Sequence, residues 1–324
     1  MSSPDEPHIE VEELEEGVLL ARIRTDELGL FETPLATDLG ALVGRAETDE
    51  SIRAVVLTGT HPGRFVSHAS VDWLQRGGAD TPSVGVKTAS KVMALGGAVR
   101  KAGPLGSVLS NTPLWGVVEL ERLHHTLLTM NSSGVIYVAA MNGSALGFGS
   151  ELAWACDLRF MAEGEHFIGQ PEILLGFNPG GGGTQRLTRL VGSHRALKAM
   201  LDGGPIPSEE ALHIGALDEI VPAADLIDRS VGEARRLGRR TRGAVAAVKR
   251  SVYFGGSMPL DQGIRLEQAE FLAVLGSPEA QALMLDYEAV NREIGGLQLY
   301  SEDYPPAAEA GRLRRPREEG SMNR

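Results

Sequence analysis

Two glutamates, Glu151 and Glu172, each stand beside unusually flexible backbone, in "NGSALGFGSELAWACDL" and in "GQPEILLGFNPGGGGTQRL". Around the first, a strand is expected to end at Met141, a glycine-rich turn to follow, and a helix to begin near Gly149. The first-turn N–H groups of such a helix point at any negative charge placed before them. A dinucleotide is a poor fit. Leu152 occupies the third-glycine position of the Rossmann fingerprint, and Glu151 would repel a pyrophosphate from the same turn. A developing oxyanion on a carbonyl suits both features, because amide donors stabilise the oxygen while an acid moves protons at neighbouring carbons. The alternative is that Glu151 only complements a helix N-terminus, worth roughly 0.3–1 kcal/mol.

Glu172 follows Pro171 and precedes Ile173, Leu174 and Leu175, a run expected to be buried. Burial disfavours an ionised carboxyl, raises its pKa and suits a proton donor. A capping acid after Pro171 is the competing reading. Gln170 could hold this acid by a hydrogen bond or lie at the surface. "GGGGT" lacks the Gly-Lys-Ser/Thr ending of a phosphate-binding loop, so a nucleotide is not expected.

The elements that must position these acids can be read from periodicity. "HIEVEEL" and "VLLARIR" alternate as a hairpin, "PLATDLGALVGRAETD" has a helical period, and "IRAVVLTG" reads as a buried strand. "LERLHHTLLTM" is helical, "GVIYVAAMNG" is a strand, and "SELAWACDLRFMA" is a helix giving way to a strand. Strands alternating with helices imply an α/β class with right-handed crossovers. From Pro207 onward the pattern is nearly all helical, with Ser277 as an N-cap and Pro278 at the first helical position. No internal sequence repeat is visible. Four regions result: residues 1–7 as a disordered start, 8–206 as the α/β core, 207–300 as a helical section, and 301–324 as a mobile, proline-bearing tail. Within the core, 77–118 is rich in Gly, Ser and Pro yet apolar enough to pack partly, and reads as a partly helical lid.

Composition narrows the function. The 324 residues are 42% hydrophobic and carry a formal net charge of −12, which argues against a phosphate-neutralising surface and hence against a nucleic-acid partner. The arginines at 235, 236, 239, 240 and 242 recur at helical spacing and read as a solvated helix face. Cys156 is the only cysteine and lies in "LAWAC", so it reads as core packing. The acidic start has no signal-peptide pattern and no run reaches about eighteen apolar residues, which predicts a soluble cytoplasmic protein without membrane contact. His124 and His125 have no acids or cysteine at ligand spacing, so no metal site is expected.

Four segments together, "IRAVVLTGTHPGRFVSHASVDWL", "AAMNGSALGFGSELAWACDLRF", "HFIGQPEILLGFNPGGGGTQRLTRLVG" and "GALDEIVP", resemble the crotonase superfamily, specifically the enoyl-CoA hydratases, over most of residues 17–291. The resemblance implies a spiral of β-β-α turns and a helical C-terminal section that trimerises, giving a homotrimer or a hexamer built as a dimer of trimers. It implies a substrate acyl-CoA thioester polarised by two backbone N–H groups, those of Ala69 and Phe148. The family's two acids fall on Glu151, assigned to the water, and Glu172, assigned to the proton at Cα. Phe271 and Tyr287 match aromatics along the CoA tail, and coenzyme A enters only as part of the substrate, with no other cofactor. An isomerase or thioester hydrolase using one glutamate, or a non-catalytic thioester-binding scaffold, are the alternatives. Several positions depart from the family. Ser67-His68-Ala69-Ser70 replaces Ala-Gly-Ala-Asp, and His68 could reach the substrate or simply fill the loop. Phe148 stands where glycine is usual and adds bulk that can narrow or reshape the acyl pocket. "RTDELGLFETPLAT" replaces the Arg-Pro and Asn-Ala signature, and the 77–118 segment is longer than the family norm.

Overall fold

The computed structural model describes residues 6–79, 84–101 and 115–313. The predicted hairpin forms as β1 (His8–Leu14) and β2 (Val18–Arg24), paired antiparallel. Its outer edge carries Glu10, Glu12 and Glu13, paired with Arg24, Arg22 and Arg45. Charges there blunt an exposed strand edge against pairing with another chain. Helix α1 (Thr33–Thr48) follows, with Leu35, Leu39, Leu42, Val43 and Ala46 making its buried stripe.

Three strand-strand-helix units come next. The first is β3 (Ala54–Gly59), β4 (Arg64–Val66) and α2 (Val71–Ala79). Helices α3 (Val86–Lys101) and α4 (Trp115–Ser132) then intervene. The second unit is β5 (Ile136–Met141), β6 (Ser144–Leu146) and α5 (Phe148–Ala155). The third is β7 (Leu158–Ala162), β8 (Phe167–Gly169), a 3-10 turn (Glu172–Leu175) and α6 (Gly183–Val191). First strands of the units are neighbours in a six-stranded sheet of order β1-β2-β3-β5-β7-β10, where β10 is Glu219–Val221. Second strands are neighbours in a four-stranded sheet of order β4-β6-β8-β9, where β9 is Ile206–Pro207. The chain therefore winds as a ββα spiral. The repetition is geometric, which is why no repeated residue pattern announces it. The region expected to be a plain turn after Met141 contains the short strand β6.

Both faces of the large sheet are covered, so its parallel strands are continuous apolar runs. In β2, Leu19, Ala21 and Ile23 face one cluster, shared with α1, α4 and α5. Val18 and Leu20 face the other, packed on α9 (Leu226–Gly238). Between these, α7 (Ser193–Asp202) and α8 (Ser208–His213) close the third unit. The helical end continues with α10 (Arg242–Tyr253), α11 (Leu260–Leu275), α12 (Pro278–Ile294) and α13 (Tyr304–Glu309). Ser277 caps α12 as expected, its hydroxyl accepting from the Ala280 N–H at 3.2 Å. Buried Lys249 of α10 fastens this end to the sheet by donating to the Val135 carbonyl and to Asp157, each at 2.7 Å.

Two expectations are corrected. The arginines of this stretch are not simply a solvated face, because Arg239, Arg240 and Arg242 donate to backbone carbonyls. Arg242 donates to the carbonyls of Ala46, Glu47, Asp49 and Ile52, and Arg236 and Arg239 pair with Glu233 and Glu16. The tail is not loose over 301–313. Helix α13 buries Ala307, and its end is held where Arg240 and Arg239 donate to the Ala308 and Glu309 carbonyls. The remaining tail residues, 314–324, and residues 1–5 of the expected disordered start lie outside the described residues, as do 80–83 and 102–114 of the 77–118 segment. What is described of that segment is helical, with α3 lying against α4. Among the described residues, no helix is long and apolar enough to cross a membrane.

Candidate functional site

Each ββα unit turns from its second strand toward its helix at the same end of the small sheet, so three corners stack. The Leu146 N–H donates to the Ser67 carbonyl at 2.8 Å, and the Gly147 N–H donates to the Gly169 carbonyl at 2.9 Å. The first corner supplies His68 and Ala69, the second Gly147, Phe148 and Glu151, the third Pro171 and Glu172. Residues far apart in sequence thus line one cavity of about 520 Å³, whose wall is otherwise mostly apolar and comes from α2, α4 and the Leu175–Gly181 loop.

Glu151 sits in the first turn of α5, a helix whose residues are all buried, and is itself only 2% exposed. Its carboxylate accepts from the Gly181 N–H at 2.9 Å and the Gly183 N–H at 2.6 Å. The glycine run exists for this approach. A Cβ on Gly181 would lie 2.4 Å from Glu151 Oε2, and one on Gly183 2.3 Å from Gln170 Oε1. The loop is braced from outside as well. His124 Nε2 donates to the Gly180 carbonyl at 2.6 Å, and Arg186 donates to the Gly181 carbonyl at 2.8 Å and to Asn131. Burial pushes the Glu151 carboxyl above the usual carboxylate range, opposed by the Gly183 and Gly181 N–H groups and by the charges of Arg186 and His124.

Glu172, 7% exposed, begins the 3-10 turn after β8. Burial, reinforced by repulsion from Glu151, raises its carboxyl to about 7. Among the described residues its buried Oε2 has no hydrogen-bond partner. The expected cause of this burial is wrong in detail. Ile173, Leu174 and Leu175 are 42%, 70% and 56% exposed, so the acid is covered by the stacked corners rather than by its own apolar neighbours. Gly147, at φ +49, makes room beside it. A Cβ there would lie 2.9 Å from Glu172 Oε1 and 3.4 Å from the Cβ of His68. Gln170 does not hold Glu172; its amide donates to the Gly147 and Gly169 carbonyls.

Ala69 and Phe148 both line the cavity. Phe148 is the first residue of α5, where an N–H has no intrahelical partner. Among the described residues neither N–H meets an acceptor. The Ala69 segment is fixed by Phe31, whose N–H donates to the His68 carbonyl while its carbonyl accepts from the Ser70 N–H. The benzyl group of Phe148 is 5% exposed and packs on Phe31 with ring centroids 4.4 Å apart. Phe148 thus lines the cavity while its ring packs into the core. His68 lines the cavity with Nδ1 hydrogen-bonded to the Ala69 carbonyl at 2.8 Å.

Phe271 and Tyr287, on α11 and α12, do not reach this cavity within one chain, and Phe271 is 59% exposed. Sequence reasoning missed the loop braces His124 and Arg186, and it missed Glu119, a third carboxylate lining the cavity. No local motif marks them, although the helical spacing from Gly116 to Leu123 places Glu119 on one face with residues that line the wall. Among the described residues, no group of three or more His, Cys, Asp or Glu side chains could hold a metal ion.

The family model described as enoyl-CoA hydratase/isomerase matches residues 118–291, a span that takes in both acids, the second corner and the glycine loop. The chain belongs to the enoyl-CoA hydratase/isomerase family. It is 37% identical over 140 residues to the mitochondrial enoyl-CoA hydratase of Pongo abelii, covering 43% of this chain and 48% of that protein. Against the short-chain-enoyl-CoA hydratase of Clostridium acetobutylicum it is 29% identical over 248 residues, covering 76% and 82%. The chain thus spans about half the length of the first of these relatives and most of the second. In three dimensions it matches an enoyl-CoA hydratase from Geobacillus kaustophilus with a TM-score of 0.70 and 25% identity, covering 90% and 95%. Solved family structures at 19–23% identity repeat the fold at TM-scores of 0.65–0.68, which identifies the ββα spiral as that of the family.

Proposed function

We propose that this family member is an enoyl-CoA hydratase, adding water across the 2,3 double bond of an acyl-CoA thioester. One observation carries the reading: two buried acids on different units of the spiral, one clasped by amides and one with its proton held to about pH 7, line a single apolar cavity. In this reading the Ala69 and Phe148 N–H groups receive the thioester oxygen, which makes Cβ electrophilic and lets Cα carry enolate character. Glu151, whose ionised form two amides favour, takes a proton from water as the water's oxygen bonds to Cβ. Glu172 delivers its proton to Cα, so the proton lost by water is balanced by the one gained at carbon. Two acids sharing one water titrate as a pair. The reaction needs no metal or redox cofactor, and coenzyme A is part of the substrate.

The reading extends to assembly as a homotrimer or hexamer in the cytoplasm. Support for assembly comes from α11 and α12, which leave Leu260, Phe271, Leu272 and Leu285 59–79% exposed, more apolar surface than a lone chain in water favours. Phe271 and Tyr287 are proposed to contact the CoA portion once protomers pack.

The partnerless Oε2 of Glu172 favours one second reading, an isomerase that moves a proton with Glu172 alone. Glu151→Gln separates the two. Loss of conjugated thioester absorbance on adding enoyl-CoA should fall at least a hundredfold for a hydratase, while 3,2-isomerisation by the same variant should persist for an isomerase. A folded wild-type protein inert toward enoyl-CoA esters of every chain length would overturn both.

A further inference from the structure

The wall of the cavity away from the stacked corners is built by α2 and by one face of α4, on which Gly116, Glu119, Leu120 and Leu123 recur at i, i+3, i+4 and i+7. Three of these suit an alkyl chain. The fourth is a carboxylate, 9% exposed, in ion pair with Arg122 at 2.8 Å. The partner arginine is half exposed on the outer side, so Glu119 reaches inward between water and an apolar lumen. A charged group facing such a lumen is costly unless the occupant answers it, because an alkyl chain would strip water from the carboxylate and return no hydrogen bond. No step assigned to Glu151 or Glu172 uses it.

We propose that Glu119 is the specificity-determining residue of the acyl pocket, selecting acyl groups that carry a hydrogen-bond donor, a hydroxyl or an amine, on the chain beyond the reacting carbons. This rests on the acyl-thioester reading of the site. The same carboxylate repels an acyl group ending in a carboxylate, so the pocket discriminates by rejection as well as by attraction.

The test measures binding of saturated acyl-CoA pairs, which cannot be hydrated, by calorimetry: a short series of ω-hydroxyacyl-CoA esters against alkyl esters of equal length. Wild type should bind at least one hydroxylated member about tenfold more tightly than its alkyl twin, the ratio expected for one hydrogen bond to a charged acceptor. Glu119→Leu should invert that preference. Glu119→Gln, which preserves shape and accepts from a hydroxyl, should keep part of it while losing any preference for an amine. Equal or tighter binding of the alkyl ester across the whole series by wild type, or a preference unchanged in Glu119→Leu, overturns the proposal. Turnover of the matching enoyl pair is scored separately, so a binding preference without hydration counts against the hydratase reading and for Glu119.

Discussion

Gly181→Ala adds one methyl group, yet the structure makes it a test of what favours the ionised form of Glu151, the acid proposed to activate water. The new Cβ would stand 2.4 Å from Glu151 Oε2 and 2.9 Å from its carboxyl carbon. Contacts this short force the loop or the carboxylate to move, and the first casualty is the 2.9 Å bond from the Gly181 N–H. A hydrogen bond to a charged acceptor is worth about 1.5–3 kcal/mol. Removing a bond that favours the ionised form should raise the Glu151 pKa further. The sign follows from burial, which already pushes this carboxyl upward and is opposed chiefly by the two glycine amides. The pH at which kcat rises should therefore move upward, and on that acid limb kcat should fall roughly ten- to a hundredfold, the equivalent of the about 1.5–3 kcal/mol that favoured the ionised form. Decay of enoyl-thioester absorbance across a pH series, with a thermal melt to establish folding, reads both quantities. A folded Gly181→Ala enzyme with an unmoved pH limb and kcat on that limb within about twofold of wild type would refute the clasp as what favours the ionised form of Glu151.

Other outcomes follow from the same geometry. Glu172 keeps its proton to about pH 7 when folded, so the native state binds more protons than the unfolded one between the ordinary carboxyl range and that value, and stability falls as pH rises across this window. Glu172→Gln should therefore melt higher than wild type above pH 7, by about 2 kcal/mol after allowing for screening, with the difference closing in acid. Gly147→Ala, at φ +49 and 2.9 Å from Glu172 Oε1, should lower kcat at least tenfold in the same absorbance assay, since an L side chain strains that backbone and intrudes on the acid. Lys249→Met removes the donor shared by Val135 and Asp157 and should cost about 2 kcal/mol in a urea titration, because it leaves a partly buried carboxylate without its cation.

Much of the fold was legible because its signals are local. The alternation of "HIEVEEL" and "VLLARIR", the apolar runs at 54–59 and 136–141, the helical period of 260–275 and the Ser277-Pro278 cap all act within a few residues, and each appears where the pattern places it. The two acids were legible for a different reason: their glycine-flanked segments resemble a known family's. The hydrogen-bond network around them was not, because its members are brought together by winding and not by spacing. Gln170 was misassigned since the Gly147 carbonyl that claims its amide lies 23 residues away. The arginines of α9 and α10 kept a helical spacing that a solvated face would also show, and only the folded chain supplies the carbonyls they bind.

By itself, then, the sequence determined which segments are strands and helices, which two carboxyls are set among glycines, and that the surface is acidic. Tertiary structure alone decided that three strand-to-helix corners stack, that Gly181 and Gly183 clasp one glutamate, and that Glu119 faces the same lumen as Glu151 and Glu172. Periodicity is set by the backbone's own geometry, a few residues at a time. Burial and hydrogen bonding depend on which distant segment supplies the neighbour, and that is fixed only when the whole chain has packed.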